Sequence, residues 1–322
     1  MLKKIRIQNY KSLADVKLDL QALNAFIGVN NVGKSNVFKA FKDISRYFKG
    51  ENLANLDQIK FDAKQNIVVE IDGLKFNLFK DSLPKTIKKI EEKGKTYILD
   101  FFENVLIYSP EIPFLKQSSE QKSDNYLSEN GSNLASFLWN LKENQVQIWQ
   151  EFFKDFKVCL PEFVEIIFEK NDGFVKFGLL DSQGKTFFAE DLSDGVLLII
   201  FHLSLVHQAN SPKLLLIENL DHGIHLFELR EIFELFEYWC VEKKIHVFFS
   251  THNAYLLNYM RDWTDSVFMF EKTNGKTQIL NMEKTIFKRL RKEDKELDIP
   301  PTAYDKYLGE FWMIGTLNSH KL

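Results

Sequence analysis

The chain has 322 residues, 45% of them hydrophobic and 27% charged, with only 7 prolines, a composition that excludes a disordered or linker-rich protein and allows a large core. Its formal charge of −3 excludes a surface that is basic all over, so a DNA contact would have to come from a local patch. The two cysteines, Cys159 and Cys240, have no metal-ligand spacing and no disulfide framework, which fits packing thiols in a reducing, cytoplasmic setting.

The first residues alternate charged and apolar side chains through Lys4-Ile5-Arg6-Ile7, the pattern of a strand rather than of a signal peptide. Ala14 to Leu20 alternates again, and Asn24-Ala25-Phe26-Ile27 forms a short apolar strand before Gly28. From Gly33 to Phe48 the apolar residues Val37, Phe38, Phe41, Ile44 and Phe48 fall at helical spacing. Asp72-Gly73 between two apolar segments predicts a hairpin that continues the early sheet. Residues 116–125 are polar and turn-rich, and the spacing then predicts helices over Asn133–Leu141 and Val146–Phe156, a helical insertion.

Beyond Phe187 helices and strands alternate: Val196–Gln208, Lys213–Ile217, Ile224–Val241, His246–Phe249 and Tyr255–Met260. Such alternation predicts a mostly parallel sheet. Val196 to Val206 is the most apolar run, but its 11 residues include His202 and Ser204, so it suits a buried helix and not a membrane span. No membrane contact is expected.

Gly28-Val29-Asn30-Asn31-Val32-Gly33-Lys34-Ser35 matches GxxxxGK[ST] at every fixed position, after a short apolar strand and before an amphipathic helix. In a loop of this kind the glycines let backbone N–H groups converge on phosphate oxygens, and the helix N-terminus adds partial positive charge. Lys34 is the candidate for the β and γ phosphates of ATP, and Ser35 for Mg²⁺. Downstream, Leu192-Ser193-Asp194-Gly195 reads as a helix cap whose N–H groups face outward. The strand Lys213–Ile217 ends in Glu218, a carboxylate placed for a second Mg²⁺ contact, and the strand Ile245–Phe249 leads to Thr251-His252.

In this order the motifs resemble the ABC-type ATPases of the SMC and OLD kind, over most of the chain. Ile7-Gln8-Asn9-Tyr10-Lys11-Ser12-Leu13 looks like the opening strand of that family, Leu192-Ser193-Asp194-Gly195 like its signature motif, Leu214 to Leu226 like its Walker B and D-loop segment, and Thr251-His252 like its switch histidine. The resemblance implies an α/β P-loop NTPase fold: one ABC-type ATPase head with an N-terminal antiparallel β lobe, a mostly parallel core sheet and a helical insertion. The expected divisions are 1–115 with the P-loop, 116–165 as the insertion, 166–275 with signature, Walker B and switch histidine, and 276–322 as a C-terminal extension. It also implies a homodimer with two ATP molecules sandwiched between the chains. Gly28, Asn30, Asn31, Gly33, Lys34, Ser35 and Lys11 would then hold one nucleotide, Ser193, Asp194 and Gly195 would meet the partner's, and His252 would sense the γ-phosphate.

One departure bears on mechanism. Relatives carry a second acidic residue after the Walker B glutamate, to polarise the attacking water, whereas Asn219 follows Glu218 here. An amide orients a water but does not accept its proton, so slow hydrolysis is expected unless Asp221, His222 or His252 substitutes. Gln58 and Gln65 are both open as the glutamine that completes Mg²⁺ coordination.

The 70 residues after His252 show no clustered carboxylates with a following βαβ pattern, so no OLD-type nuclease is expected. The basic stretch Lys284–Lys292 is a DNA-backbone or acidic-partner contact, or else a solvated helix face. Trp312, with Tyr304, Tyr307 and Phe311, either docks a partner or seals the C-terminal lobe. The implied function is an ATPase that dimerises on ATP and regulates a separately encoded effector in a DNA-linked or phage-defence system. The alternatives are a hydrolysis-deficient ATP-binding scaffold and, third, the ATPase subunit of a transporter.

Overall fold

A computed structural model describes residues 2–51, 56–208, 212–221, 224, 226–298, 300 and 302–317. His222, Gly223 and His225 of the Walker B loop lie outside the described residues. In chain order the strands are β1 (Lys4–Tyr10), β2 (Leu13–Asp19), β3 (Leu23–Ile27), β4 (Val68–Ile71), β5 (Leu74–Asn77), β6 (Ile107–Tyr108), β7 (Ser119–Glu120), β8 (Phe163–Asn171), β9 (Phe174–Asp181), β10 (Thr186–Phe188), β11 (Leu214–Ile217), β12 (His246–Thr251), β13 (Val267–Thr273) and β14 (Lys276–Asn281). The α-helices are α1 (Lys34–Phe48), α2 (Leu83–Glu92), α3 (Tyr97–Phe101), α4 (Ile112–Leu115), α5 (Leu134–Asn144), α6 (Val146–Cys159), α7 (Asp194–Val206), α8 (Leu226–Glu242), α9 (Ala254–Tyr259), α10 (Lys288–Glu296) and α11 (Leu308–Met313). Among the described residues no helix is long and apolar enough to cross a membrane.

The chain divides into two compact units, the first made of Met1–Ile107, Lys213–Leu220 and Lys243–Leu322. It contains an antiparallel sheet in the order β2-β1-β4-β5 and the core sheet in the order β14-β13-β3-β12-β11, with β6 at its edge. β13, β3, β12 and β11 are mutually parallel and β14 is antiparallel to β13. The apolar face of α1 is buried through Val37, Phe38, Phe41 and Ile44 in one core with Ile5, Ile7, Val69 and Ile71 of the antiparallel sheet and Phe26 and Phe248 of the parallel one. Phe26 sits at the middle of an aromatic cluster, with ring centroids 5.4 Å from Phe38, 5.6 Å from Phe248 and 4.8 Å from Phe270. Burial of this kind contributes about 1.5–3 kcal/mol per large side chain, so the helix is held by packing rather than by propensity.

The second unit consists of Tyr108–Pro212 and Asp221–Glu242. β9 is its central strand, pairing with β8 along one edge and with β10 and β7 along the other, all antiparallel. The expected helices are present as α5 and α6, and α7 is buried along nearly its whole length. The β8–β9 hairpin turns on Asp172-Gly173 and the β13–β14 hairpin on Asn274-Gly275, each with two positive φ angles, like the expected turn at Asp72-Gly73. The same turn signal therefore operates three times, twice in segments for which no hairpin is expected.

Candidate functional site

Three neighbouring parallel strands end side by side. Ile27 of β3 is level with Thr251 of β12, and Ile217 of β11 with Phe249. The loop that begins at Gly28, the turn carrying His252 and the turn carrying Glu218 and Asn219 therefore emerge in a row from the carboxyl edge of one sheet, where α/β folds place ligands. His252 and Asn219 are exposed and Glu218 is half-buried.

The loop after β3 is closely determined. Gly28 and Gly33 have φ of 153° and 111°, and a Cβ on Gly28 would lie 2.5 Å from the Phe270 carbonyl oxygen, so both positions require glycine. Asn31 takes the left-handed conformation at φ 65°, which asparagine tolerates better than most residues. Helix α1 then starts with no side-chain cap at Gly33 and no acidic residue in its first turn. Its N-terminus keeps its partial positive charge and is receptive to an anion. Lys34 is buried and folds back so that Nζ donates to the carbonyls of Gly28 at 2.6 Å and Val29 at 3.0 Å. Ser35 is half-buried in the first turn, and Asn30 and Asn31 are exposed.

Lys11 sits at the β1–β2 turn in the left-handed region, φ 46°, with its N–H donating to Ile59 at 2.6 Å. Partial burial, and then the charge of Lys39, lower its pKa, as expected for a cation crowded by another. The Tyr10 hydroxyl next to it donates to Asp43 at 2.6 Å, and burial followed by that carboxylate raises the phenol pKa. Gln58 precedes the Ile59 contact and is exposed, whereas the Gln65 amide is taken up by Asp62 at 2.9 Å.

Glu218 suits a metal or metal-bound water: its Oε1 is buried with no hydrogen-bond partner among the described residues, and an orphaned carboxylate oxygen is costly unless a ligand meets it. Mg²⁺ takes only one or two protein oxygens, a number that Glu218 and the hydroxyl of Ser35 would supply. Asn219 follows in the left-handed region, φ 51°, with its N–H donating to Ser250 Oγ at 3.0 Å while Leu220 N–H donates to the Ser250 carbonyl at 3.1 Å. His252 lies between Thr251, whose Oγ1 accepts from Asn253 N–H, and Asn253, which caps α9.

In the second unit Ser193 caps α7, its Oγ accepting from Val196 N–H at 3.3 Å. Ser193 and Asp194 are exposed and Gly195 is buried, and the Asp194 carboxylate pairs with Lys116 at 3.0 Å. Asp221 is half-buried.

The packing around the loop escapes sequence reasoning. Thr277 and Ser12 abut the P-loop, and a Cβ on Gly33 would meet the Thr277 hydroxyl at 2.1 Å. A cavity of about 430 Å³ beside the loop is lined by Gly28, Asn30, Asn31, Phe270, Glu271 and Trp312. Trp312 thus faces the loop, while Tyr304 packs on Phe311 at 5.3 Å and on Phe287 at 5.9 Å. In the basic stretch, Lys284 pairs with Asp19, Arg289 with Glu293, Arg291 with Glu283 and Lys292 with Glu296.

A protein-family model described as "AAA domain, putative AbiEii toxin, Type IV TA system" matches residues 75–258, more than half of the chain. The chain belongs to this family. It is accordingly an AAA-type ATPase, and the matched segment of this AAA domain contains the cap at Ser193, Glu218, Asn219 and His252. No curated protein matches the sequence. Among solved structures, an Smc head bound to the C-terminal winged-helix domain of ScpA is 14% identical, with 88% of this chain and 98% of that chain covered and a TM-score of 0.56. An Smc head domain with an extended coiled coil, bound to the C-terminal domain of ScpA from Pyrococcus furiosus, is 11% identical over 92% and 99%, with a TM-score of 0.55. At these identities the likeness shows the fold of this AAA domain, that of an SMC-type P-loop ATPase head.

Proposed function

We propose that the chain binds ATP with Mg²⁺ at Gly28–Ser35, hydrolyses it slowly, and closes head to tail with a second copy so that Ser193, Asp194 and Gly195 of one chain complete the site of the other. The observation that carries this reading is the row of Gly28, His252 and Glu218 at one sheet edge, behind an uncapped helix N-terminus. Lys34 leaves the loop carbonyls of Gly28 and Val29 for the β and γ phosphates, and Lys11 adds a second cation. Mg²⁺, when bound, neutralises charge between the phosphates, with Ser35 and Glu218 as its protein ligands. His252 faces the γ-phosphate. Asn219 orients the attacking water without accepting its proton, which leaves Asp221 or His252 to take it and keeps turnover slow.

Ser193 supports the composite site. Its Oγ accepts from Val196 N–H, so its own proton is free to donate to an anion. In the cell the ATP-closed homodimer controls a separately encoded effector in a phage-defence or DNA-linked system. Support for this comes from the type IV TA system in the family description and from the ScpA domain seated on the Smc head.

The position of Asn219 favours a second reading, an ATP-binding scaffold without turnover. Light scattering with ATP, ADP and a non-hydrolysable analogue, alongside phosphate release with and without DNA, tests both. The parent is expected to dimerise with ATP, and Ser193→Arg to bind ATP yet remain monomeric. A parent that stays monomeric with ATP overturns the composite site, and binding without phosphate release under any condition selects the scaffold.

A further inference from the structure

We infer that Thr277, which lies outside every motif of the site, is a positioning residue that acts with Ser12 of the opening-strand motif to set the phosphate-binding loop. Thr277 Oγ1 donates to the Val32 carbonyl at 2.8 Å and lies 2.7 Å from Ser12 Oγ, which accepts from Asn36 Nδ2 at 2.7 Å. The direction of these bonds follows from valence. A carbonyl only accepts, so the Thr277 proton is committed to Val32. Ser12 must then donate its proton to Thr277, and its lone pair receives the Asn36 amide. The result is a one-way chain, Asn36 to Ser12 to Thr277 to the Val32 carbonyl, drawn from α1, the β1–β2 turn, β14 and the loop. Each hydroxyl donates once and accepts once, and such chains reinforce themselves in a site of low dielectric.

The carbonyl that is held determines the amide that is offered. In a trans peptide the C=O of Val32 and the N–H of Gly33 point to opposite sides of one plane. With the carbonyl fixed on Thr277, the Gly33 N–H faces away from it, and a flipped peptide would present an oxygen there instead. Gly33 cannot carry a side chain because Thr277 stands where its Cβ would be, 2.1 Å away, with Ser12 Oγ at 2.9 Å. Thr277 N–H also donates to the Ser12 carbonyl at 2.9 Å, which fixes the turn that carries Lys11. A single residue of the β13–β14 hairpin therefore sets both the loop amide and the residue next to the outer lysine.

The inference rests on the ATP reading of the loop. It is tested on the full chain by titration calorimetry with Mg²⁺, using ATP and inorganic triphosphate as probes. Thr277→Val, which keeps the shape and removes the hydroxyl, is expected to weaken both probes about tenfold or more. Thr277→Ser, which keeps the hydroxyl, is expected to stay within about twofold of the parent. Ser12→Ala should fall between them, and the Ser12→Ala, Thr277→Val double variant should be no weaker than Thr277→Val alone, because one chain is broken once. Thermal midpoints are followed throughout, and if Thr277→Val does not fold, Ser12→Ala carries the comparison.

Parental affinity in Thr277→Val, or in Ser12→Ala where that variant carries the test, while Lys34→Ala loses binding, overturns the inference and leaves the ATP reading intact. A Thr277→Ser variant as weak as Thr277→Val overturns the hydroxyl chain. A parent that binds neither probe removes the ATP reading and the inference with it.

Discussion

The helix N-termini that carry candidate nucleotide contacts, α1 in the first unit and α7 in the second, are built in opposite ways. α1 opens without a cap and without an acid in its first turn, and its loop is held from behind by Thr277, Ser12 and Lys34. α7 opens with Ser193 as its cap and Asp194 in its first turn, and that carboxylate is paired with Lys116. The first end retains an uncompensated dipole and offers it to an anion. In the second, Ser193 takes up one of the end N–H groups and Asp194 offsets part of the dipole, so what it presents is a hydroxyl proton on an exposed surface. The difference teaches that the α1 end is receptive to an anion within one chain, whereas the α7 end has much of its dipole already answered and, under the proposed composite site, would contribute only to a nucleotide held by a second copy.

The largest expected effect breaks the first end alone. Lys34→Ala removes a charge-assisted donor to phosphate, worth about 1.5–3 kcal/mol, so ATP affinity should fall about tenfold to a hundredfold while the signature end is untouched. Gly28 and Val29 lose the Nζ donor to their carbonyls, which costs on the order of 1 kcal/mol and leaves a folded protein. Calorimetry beside a thermal melt reads both. A folded variant with unchanged affinity would show that nucleotide is bound without this lysine, and the asymmetry between the two helix ends would lose its meaning.

Most of the first region was legible in the sequence, because each of its signals is local. GxxxxGK[ST], the apolar strand before it and the spacing of Val37, Phe38, Phe41 and Ile44 all lie within one short stretch of chain, and β3 and α1 occur where they are expected. The parallel strands β11 and β12 and the cap at Ser193 were legible for the same reason. Thr277 was not: it reaches Ser12 across a sequence separation of 265 residues, and nothing around it differs from an ordinary strand threonine. The sheet around β9 is less legible although Asp172-Gly173 marks its hairpin, since the helical spacing of α5 and α6 before it and the helix–strand alternation after it are the stronger local signals. Trp312 has an aromatic neighbourhood that reads as a docking surface or as a seal for the C-terminal lobe, and only the folded chain shows it lining the cavity beside the P-loop.

A second, more even effect tests whether the two regions respond alike to acid. His246 of the first unit and His202 of α7 are both buried, each with Nδ1 at a backbone carbonyl, Gln21 at 3.0 Å and Leu198 at 2.6 Å, and with an Nε2 that is buried and has no partner among the described residues. Burial pulls the pKa of each down to about 4, against the weaker opposing pull of the carbonyl. The unfolded chain takes up these protons near pH 6.5 and the folded chain does not. Stability is therefore full above about pH 6.5 and declines as the pH falls toward 4, by roughly 2 kcal/mol per histidine at pH 5. Thermal midpoints from pH 7.5 to 4.5 should fall along this limb, and His202→Leu or His246→Leu should each flatten it. If His202→Leu left the slope unchanged, the signature helix would not share the acid sensitivity of the P-loop unit.

The smallest expected effect concerns Asn219, the residue to which the proposed slow turnover is assigned. Asn219 lies at φ 51° and its turn is tied to Ser250 through two backbone donors, so the backbone has little freedom to relax. Asparagine tolerates the left-handed region, while glutamate, with a longer side chain and no comparable local hydrogen bond, costs about 1 kcal/mol there. In a chain of this size that corresponds to a thermal midpoint lower by about 2 °C. Asn219→Glu should show that small loss and, if position 219 is where the general base belongs, a rise in phosphate release. Asn219→Gly suits the left-handed backbone without adding a carboxylate and gives up the amide that orients the water, so it should keep the parental midpoint and turn over no faster than the parent. The pair separates backbone from chemistry. Faster release in both variants would mean that freeing the turn, and not supplying a base, was what mattered. Unchanged release in Asn219→Glu, from a parent that already turns over quickly, would assign the proton to Asp221 or His252 and remove Asn219 from the account of slow hydrolysis.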